Sequence, residues 1–169
     1  MEHSLKTTGA PSLEELYKSP AFPTHEQLLK GPIAIIECIE EIPCNPCQAS
    51  CQQGAITIGE SITNLPEMDF EKCIACGACI AACPGLAIYI KDYTYSHIMA
   101  LLSFPYEYYP LPKAGDIVQA VDRHGSYVCD AKVIKVRNPK SNDHTAIVTI
   151  EYPKEYFEEA VNMKRIAMQ

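Results

Sequence analysis

The chain has few basic residues, no long apolar run and none of the motifs that bind nucleotides or build nucleophiles. Its 14 Lys and Arg stand against 21 Asp and Glu, a formal net charge of −7 at neutral pH. A nucleic-acid binder clusters Lys and Arg on one face, so the balance argues against that class. The longest apolar candidate, Ile98-Met99-Ala100-Leu101-Leu102, is far shorter than the roughly 20 residues of a membrane-spanning helix. The opening residues, Met1-Glu2-His3-Ser4-Leu5-Lys6, lack the apolar core of an export signal. The sequence therefore reads as that of a soluble cytoplasmic protein in a reducing compartment. The five histidines do not cluster, and His124 and His144 fall in turns. With no glycine-rich phosphate loop, dinucleotide fingerprint or nucleophile–base arrangement, no catalytic residue is expected in this chain.

What the sequence does have is cysteine. Of nine cysteines, eight lie between Cys38 and Cys83 at close CxxC-type spacings. Such a count fits either a disulfide framework or a metal protein, and the reducing context favours metal. The densest run is Cys73-Ile74-Ala75-Cys76-Gly77-Ala78-Cys79-Ile80-Ala81-Ala82-Cys83-Pro84. A short loop with small residues lets the backbone curl so that three thiolates reach one iron–sulfur cube. By itself this run accounts for one cluster and leaves a fourth cysteine without a destination. The ninth cysteine, Cys129, sits mid-strand and far from the others, and reads as a small buried hydrophobe.

The run has a twin. Shifted by 32 positions, Cys44, Cys47 and Cys51 fall on Cys76, Cys79 and Cys83, Ala55-Ile56 on Ala87-Ile88, and Ile58 on Ile90. Cys38 is out of register, because five residues separate it from Cys44 where two separate Cys73 from Cys76. Gln52 follows Cys51 where Pro84 follows Cys83. An internal repeat of this kind implies two similar half-domains, each a strand, a cysteine loop, a short helix and a returning strand.

On these residues the segment 31–92 resembles a bacterial-type ferredoxin domain with two [4Fe–4S] clusters. The resemblance implies a pseudo-symmetric (βαβ)2 fold. It also implies that Cys38, Cys44, Cys47 and Cys83 hold one cluster, while Cys73, Cys76, Cys79 and Cys51 hold the other. The alternative for the first cysteine group is zinc, or no metal at all. The longer first loop makes the halves unequal, so their potentials are expected to differ.

Around this segment, residues 1–30 read as a polar N-terminal arm. Ser12 and Glu15 there form a capping box for one short helix through Tyr17. The arm is expected either to be mobile or to lie on a partner. Residues 93–112 are rich in Tyr, Phe and Pro and read as a connector. They are expected to hold a short helix over 96–103 and then an extended stretch, with the aromatics sealing a seam or meeting a partner. Residues 113–169 carry β alternation around turns at 122–125 and 138–143. They read as a small antiparallel barrel-like unit closed by a helix near 155–163. The expected class is α+β.

Residues 36–47, joined to this β unit, are similar to small subunits of FAD-dependent amino-acid or amine dehydrogenases of the proline, hydroxyproline and sarcosine type. That resemblance implies an electron-transfer subunit with FAD-containing dehydrogenase partners and an unnamed downstream acceptor. The alternatives are a stand-alone ferredoxin and a non-redox iron–sulfur or zinc assembly protein.

Overall fold

The computed structural model describes residues 4–167. The chain begins with three short helices, α1 (Leu5–Thr8), α2 (Leu13–Tyr17) and α3 (His25–Leu28). The expected capping box forms at α2: Ser12 Oγ accepts from the Glu15 amide at 3.2 Å, and Glu15 Oε2 accepts from the Ser12 amide at 2.9 Å. This arm lies on the body of its own chain, with Leu16 and Ala21 fully buried and Phe22 and Leu28 against the main core.

The cysteine-rich segment contributes β1 (Ile33–Ile36), α4 (Pro46–Ser50), β2 (Ile56–Thr57), β3 (Glu67–Met68), α5 (Ala78–Ala82) and β4 (Ile88–Asp92). Strand β1 pairs antiparallel with β4, and β2 with β3. Each pair therefore joins a strand from one half of the repeat to a strand from the other. The rest of the chain adds β5 (Met99–Tyr106), β6 (Ile117–Val121), β7 (Tyr127–Arg137), β8 (Ala146–Pro153) and β9 (Asn162–Met163).

Apart from the two-stranded β2–β3 ribbon, all strands belong to one antiparallel sheet in the order β1-β4-β5-β8-β7-β6-β9. The fold is mixed α/β, with a mostly antiparallel sheet and few helices. The strands after residue 112, expected as a barrel-like unit, continue the β1–β4 pair through β5. The helix expected over 96–103 is replaced by β5. Its alternate residues Ala100, Leu102, Phe104 and Tyr106 point into the core, a period of two that no helix can present. The closing helix expected over 155–163 is also replaced. A 3-10 turn (Lys154–Tyr156) leads into β9, which covers the edge of β6 with backbone bonds such as Val161 N–H to the Val121 carbonyl at 3.0 Å. Pairing an open strand edge outweighs a weak local helical preference.

Strands β1 and β4 are buried on both faces, which explains their near-continuous apolar sequence. Ile33, Ile35 and Tyr89 face the main core. Ala34, Ile36, Ile88 and Ile90 face a second core beside the cysteines, together with Ile56, Ile58, Met68 and Ile80. The two strands are the wall between the larger sheet and the cysteine loops.

Candidate metal centres

Behind that wall lie two cavities. One, about 390 Å³ in volume, is lined by Cys38, Cys44, Cys47 and Cys83, with Ile36, Ile58 and Ile88 as its floor. The other, about 340 Å³, is lined by Cys51, Cys73, Cys76 and Cys79, with Ala34, Ala55, Ile56 and Met68. All eight cysteines of the repeat are thus gathered in two sets of four, and each set takes one cysteine from the opposite half. Cys129 is elsewhere, buried mid-strand in the main core.

The two short helices produce the exchange. Helix α4 carries Cys47 near its start and is capped by Cys51; α5 carries Cys79 near its start and is capped by Cys83. Both capping cysteines leave the helix in the same extended conformation, with ψ of 92° at Cys51 and 111° at Cys83. Four residues of helix rise span about 6 Å. Each helix therefore begins at one cavity and delivers its last sulfur to the other. Pro46 at the start of α4 has its φ preset for the helix. Gly77, before α5, has φ +84°, a backbone conformation that side chains other than glycine's resist. In the same loop Ala75 is left-handed (φ 52°), which turns the backbone around the thiols.

Backbone amides point at the sulfurs. Ala55 N–H donates to Cys51 Sγ at 3.3 Å, and Ala87 N–H to Cys83 Sγ at 3.5 Å, the same bond at repeat-related positions. The backbone at Glu40 and Gln48 acts on Cys38 and Cys47 in the same sense, favouring the charged sulfur. Amide dipoles of this kind favour a negatively charged sulfur.

Three of the thiols, Cys38, Cys47 and Cys79, resist ionisation when only protein surrounds them. Burial first, then the neighbouring Cys73, Cys76 and Cys51, push Cys79 up to about 12. Burial likewise raises Cys47, and it raises Cys38, followed by Cys83 and Cys44. A buried thiol of this kind becomes a thiolate readily when iron supplies positive charge beside it. Among the described residues no three metal-binding side chains converge on a single-ion position. The thiols of each set instead line a common cavity.

Comparison with known proteins decides the group. Residues 37–92 match the 4Fe-4S dicluster domain. The chain holds two [4Fe–4S] clusters. The chain is 48% identical over 50 residues to one of the subunits of an ion-translocating oxidoreductase complex from Methanosarcina acetivorans, covering 30% of this chain and 18% of that protein. It is 39% identical over 54 residues to the polyferredoxin-like subunit of an aliphatic sulfonate oxidoreductase from Pyrococcus furiosus, covering 32% and 28%. It is 33% identical over 60 residues to the ferredoxin-type protein NapF of Escherichia coli, covering 34% and 36%. The chain thus spans between 18% and 36% of the lengths of these curated relatives. No solved structure matches.

Sequence reasoning missed the polar groups that flank the dicluster domain. Glu37, next to Cys38, pairs with Arg123 from the β6–β7 turn, and Tyr89 donates its hydroxyl to Glu37. Lys91 on β4 is buried in the main core, and its ammonium donates to the Phe157 carbonyl. Arg137, at the end of β7, reaches the cysteine loop of the second cavity. Only Lys91 left a trace in the sequence, as a charge that directly follows the apolar Ile88-Tyr89-Ile90 of β4. Among the described residues no helix is long and apolar enough to cross a membrane.

Proposed function

We propose that this chain is the electron-transfer subunit of a larger flavin-dependent oxidoreductase of the amino-acid or amine dehydrogenase type. In this reading Cys38, Cys44, Cys47 and Cys83 hold one cluster, and Cys73, Cys76, Cys79 and Cys51 the other. Residues 31–92 are then a pseudo-symmetric cluster domain, flanked by the arm (1–30), the aromatic connector (93–112) and the β unit (113–169). The observation that carries electron transfer is the pair of short helices that each begin at one cavity and end at the other. Cluster-binding sites one helical turn apart let electrons cross the domain singly, so a two-electron donor such as a reduced flavin can be drained in steps.

Two of the three relatives are named as oxidoreductase subunits, which supports a partnered role. The flavoprotein partner itself rests on the resemblance of residues 36–47 and the C-terminal β unit. Anaerobic purification from native expression tests it. Co-elution with a flavin-containing dehydrogenase supports the subunit reading, and a lone monomer overturns it. One observation favours a second reading, a stand-alone carrier: the arm buries Leu16 and Ala21 on its own chain and so needs no partner surface for its order.

A further inference from the structure

The two cavities differ in the charged side chain beside each. At the second, the guanidinium of Arg137, carried by the last residue of β7, donates Nη1 to the Cys76 carbonyl at 3.5 Å. Its Nη2 lies so close over Gly77 that a Cβ built there would be 2.7 Å away. Gly77 is needed for its left-handed φ, and its missing Cβ leaves room for the guanidinium. Arg137 belongs to no ion pair among the described residues within salt-bridge distance, so its charge is not cancelled locally. In the first loop Asn45, exposed and neutral, stands at the position that corresponds to Gly77. The first cavity has a carboxylate-bearing residue instead: Glu40, exposed to solvent, is among its lining residues, and its charge acts on Cys38. Glu40 also lies in the longer Cys38–Cys44 loop that has no counterpart in the second half.

Reduction adds one negative charge to a cluster. A fixed cation beside it stabilises the reduced form, a carboxylate disfavours it, and the effect is larger where apolar walls keep the local dielectric low. We propose that Arg137 and Glu40 set the order of the two clusters, making the one beside Arg137 the easier to reduce. This inference rests on the ligand reading above. It gives the C-terminal β unit a role in the dicluster domain, because β7 supplies the cation. Electrons then settle on the Cys73–Cys76–Cys79 side, next to the exposed Cys76 and the exposed Ile74.

Potentiometric titration followed by EPR on the full chain, with iron and sulfide counted, tests both levels. The unaltered chain is expected to hold about eight irons and to reduce in two steps. Arg137→Gln should lower the higher step and leave the lower one in place. Glu40→Gln should raise the lower step and leave the higher one. Arg137→Lys, which keeps the charge, should restore the separation, and added salt should narrow it. Two steps that neither variant moves, or an Arg137→Gln shift in the lower step, overturn the inference while the two-cluster reading stands. A single step with about eight irons likewise overturns the inference, whereas about four irons in the unaltered chain overturns the two-cluster reading itself. Should Arg137→Gln fail to load its clusters, Glu40→Gln and the salt series decide alone.

Discussion

Arg123 Nη2 lies 2.6 Å from Glu37 Oε1, with the two side chains only 10% and 12% exposed. Glu37 directly follows β1 and precedes the first cluster cysteine, whereas Arg123 sits in the turn between β6 and β7. The pair therefore ties together strands from opposite ends of the sheet order. Tyr89 completes it, accepting from Arg123 Nη2 at 3.4 Å and donating to Glu37. Removing one partner leaves the other charge poorly solvated. Arg123→Ala should cost about 3–5 kcal/mol of unfolding free energy, and the paired Glu37→Gln, Arg123→Met change much less. Denaturant unfolding of the cluster-loaded chain measures both.

Lys91 gives a pH signature. It is 2% exposed, its Nζ is 4.8 Å from the Phe157 ring centre, and the groups acting on it are Arg123, Glu37, Glu158 and Glu159. Burial first, then the Arg123 charge, bring it down to about 7. Between that value and the ordinary lysine pKa of about 10.4, the unfolded chain binds the proton that the folded chain refuses. Stability from this residue therefore rises with pH across that window, by up to about 1.4 kcal/mol per unit, and is lowest below it. Subtracting Lys91→Met from the unaltered chain at each pH isolates the slope, which should be positive above neutrality and flat below.

The arm contributes to stability through Leu16, which is fully buried on α2. Leu16→Ala should cost about 2–5 kcal/mol in the isolated chain. A loss near zero would mean that the arm is not docked on this chain in solution.

The cysteine repeat is legible in the sequence because its spacing is local: loops of two to five residues between thiols leave few ways to surround a cube. Strands such as β1 and β8 are legible for the same reason, since β-branched alternation is a short-range property. Residues 98–106 mislead because five apolar residues in a row match either period. Partnership with β8, more than 40 residues away, decides for a strand. The segment 155–163 misleads because the open edge of β6, which β9 covers, is invisible locally. Arg123 and Arg137 leave no sign at all. Each acts on a residue 86 and 61 positions away respectively, and a surface-type arginine in a turn or strand end has no local mark of such a role.

In the proposed ligand assignment, the exchange of Cys51 and Cys83 between the halves ties the two clusters into one domain, and single serine substitutions test it by resemblance of phenotype. Iron content and the EPR signal that survives reduction should be the same in Cys83→Ser as in Cys47→Ser, and the same in Cys51→Ser as in Cys79→Ser. If Cys83→Ser instead matches Cys79→Ser, each half keeps its own four cysteines and the crossed assignment is wrong.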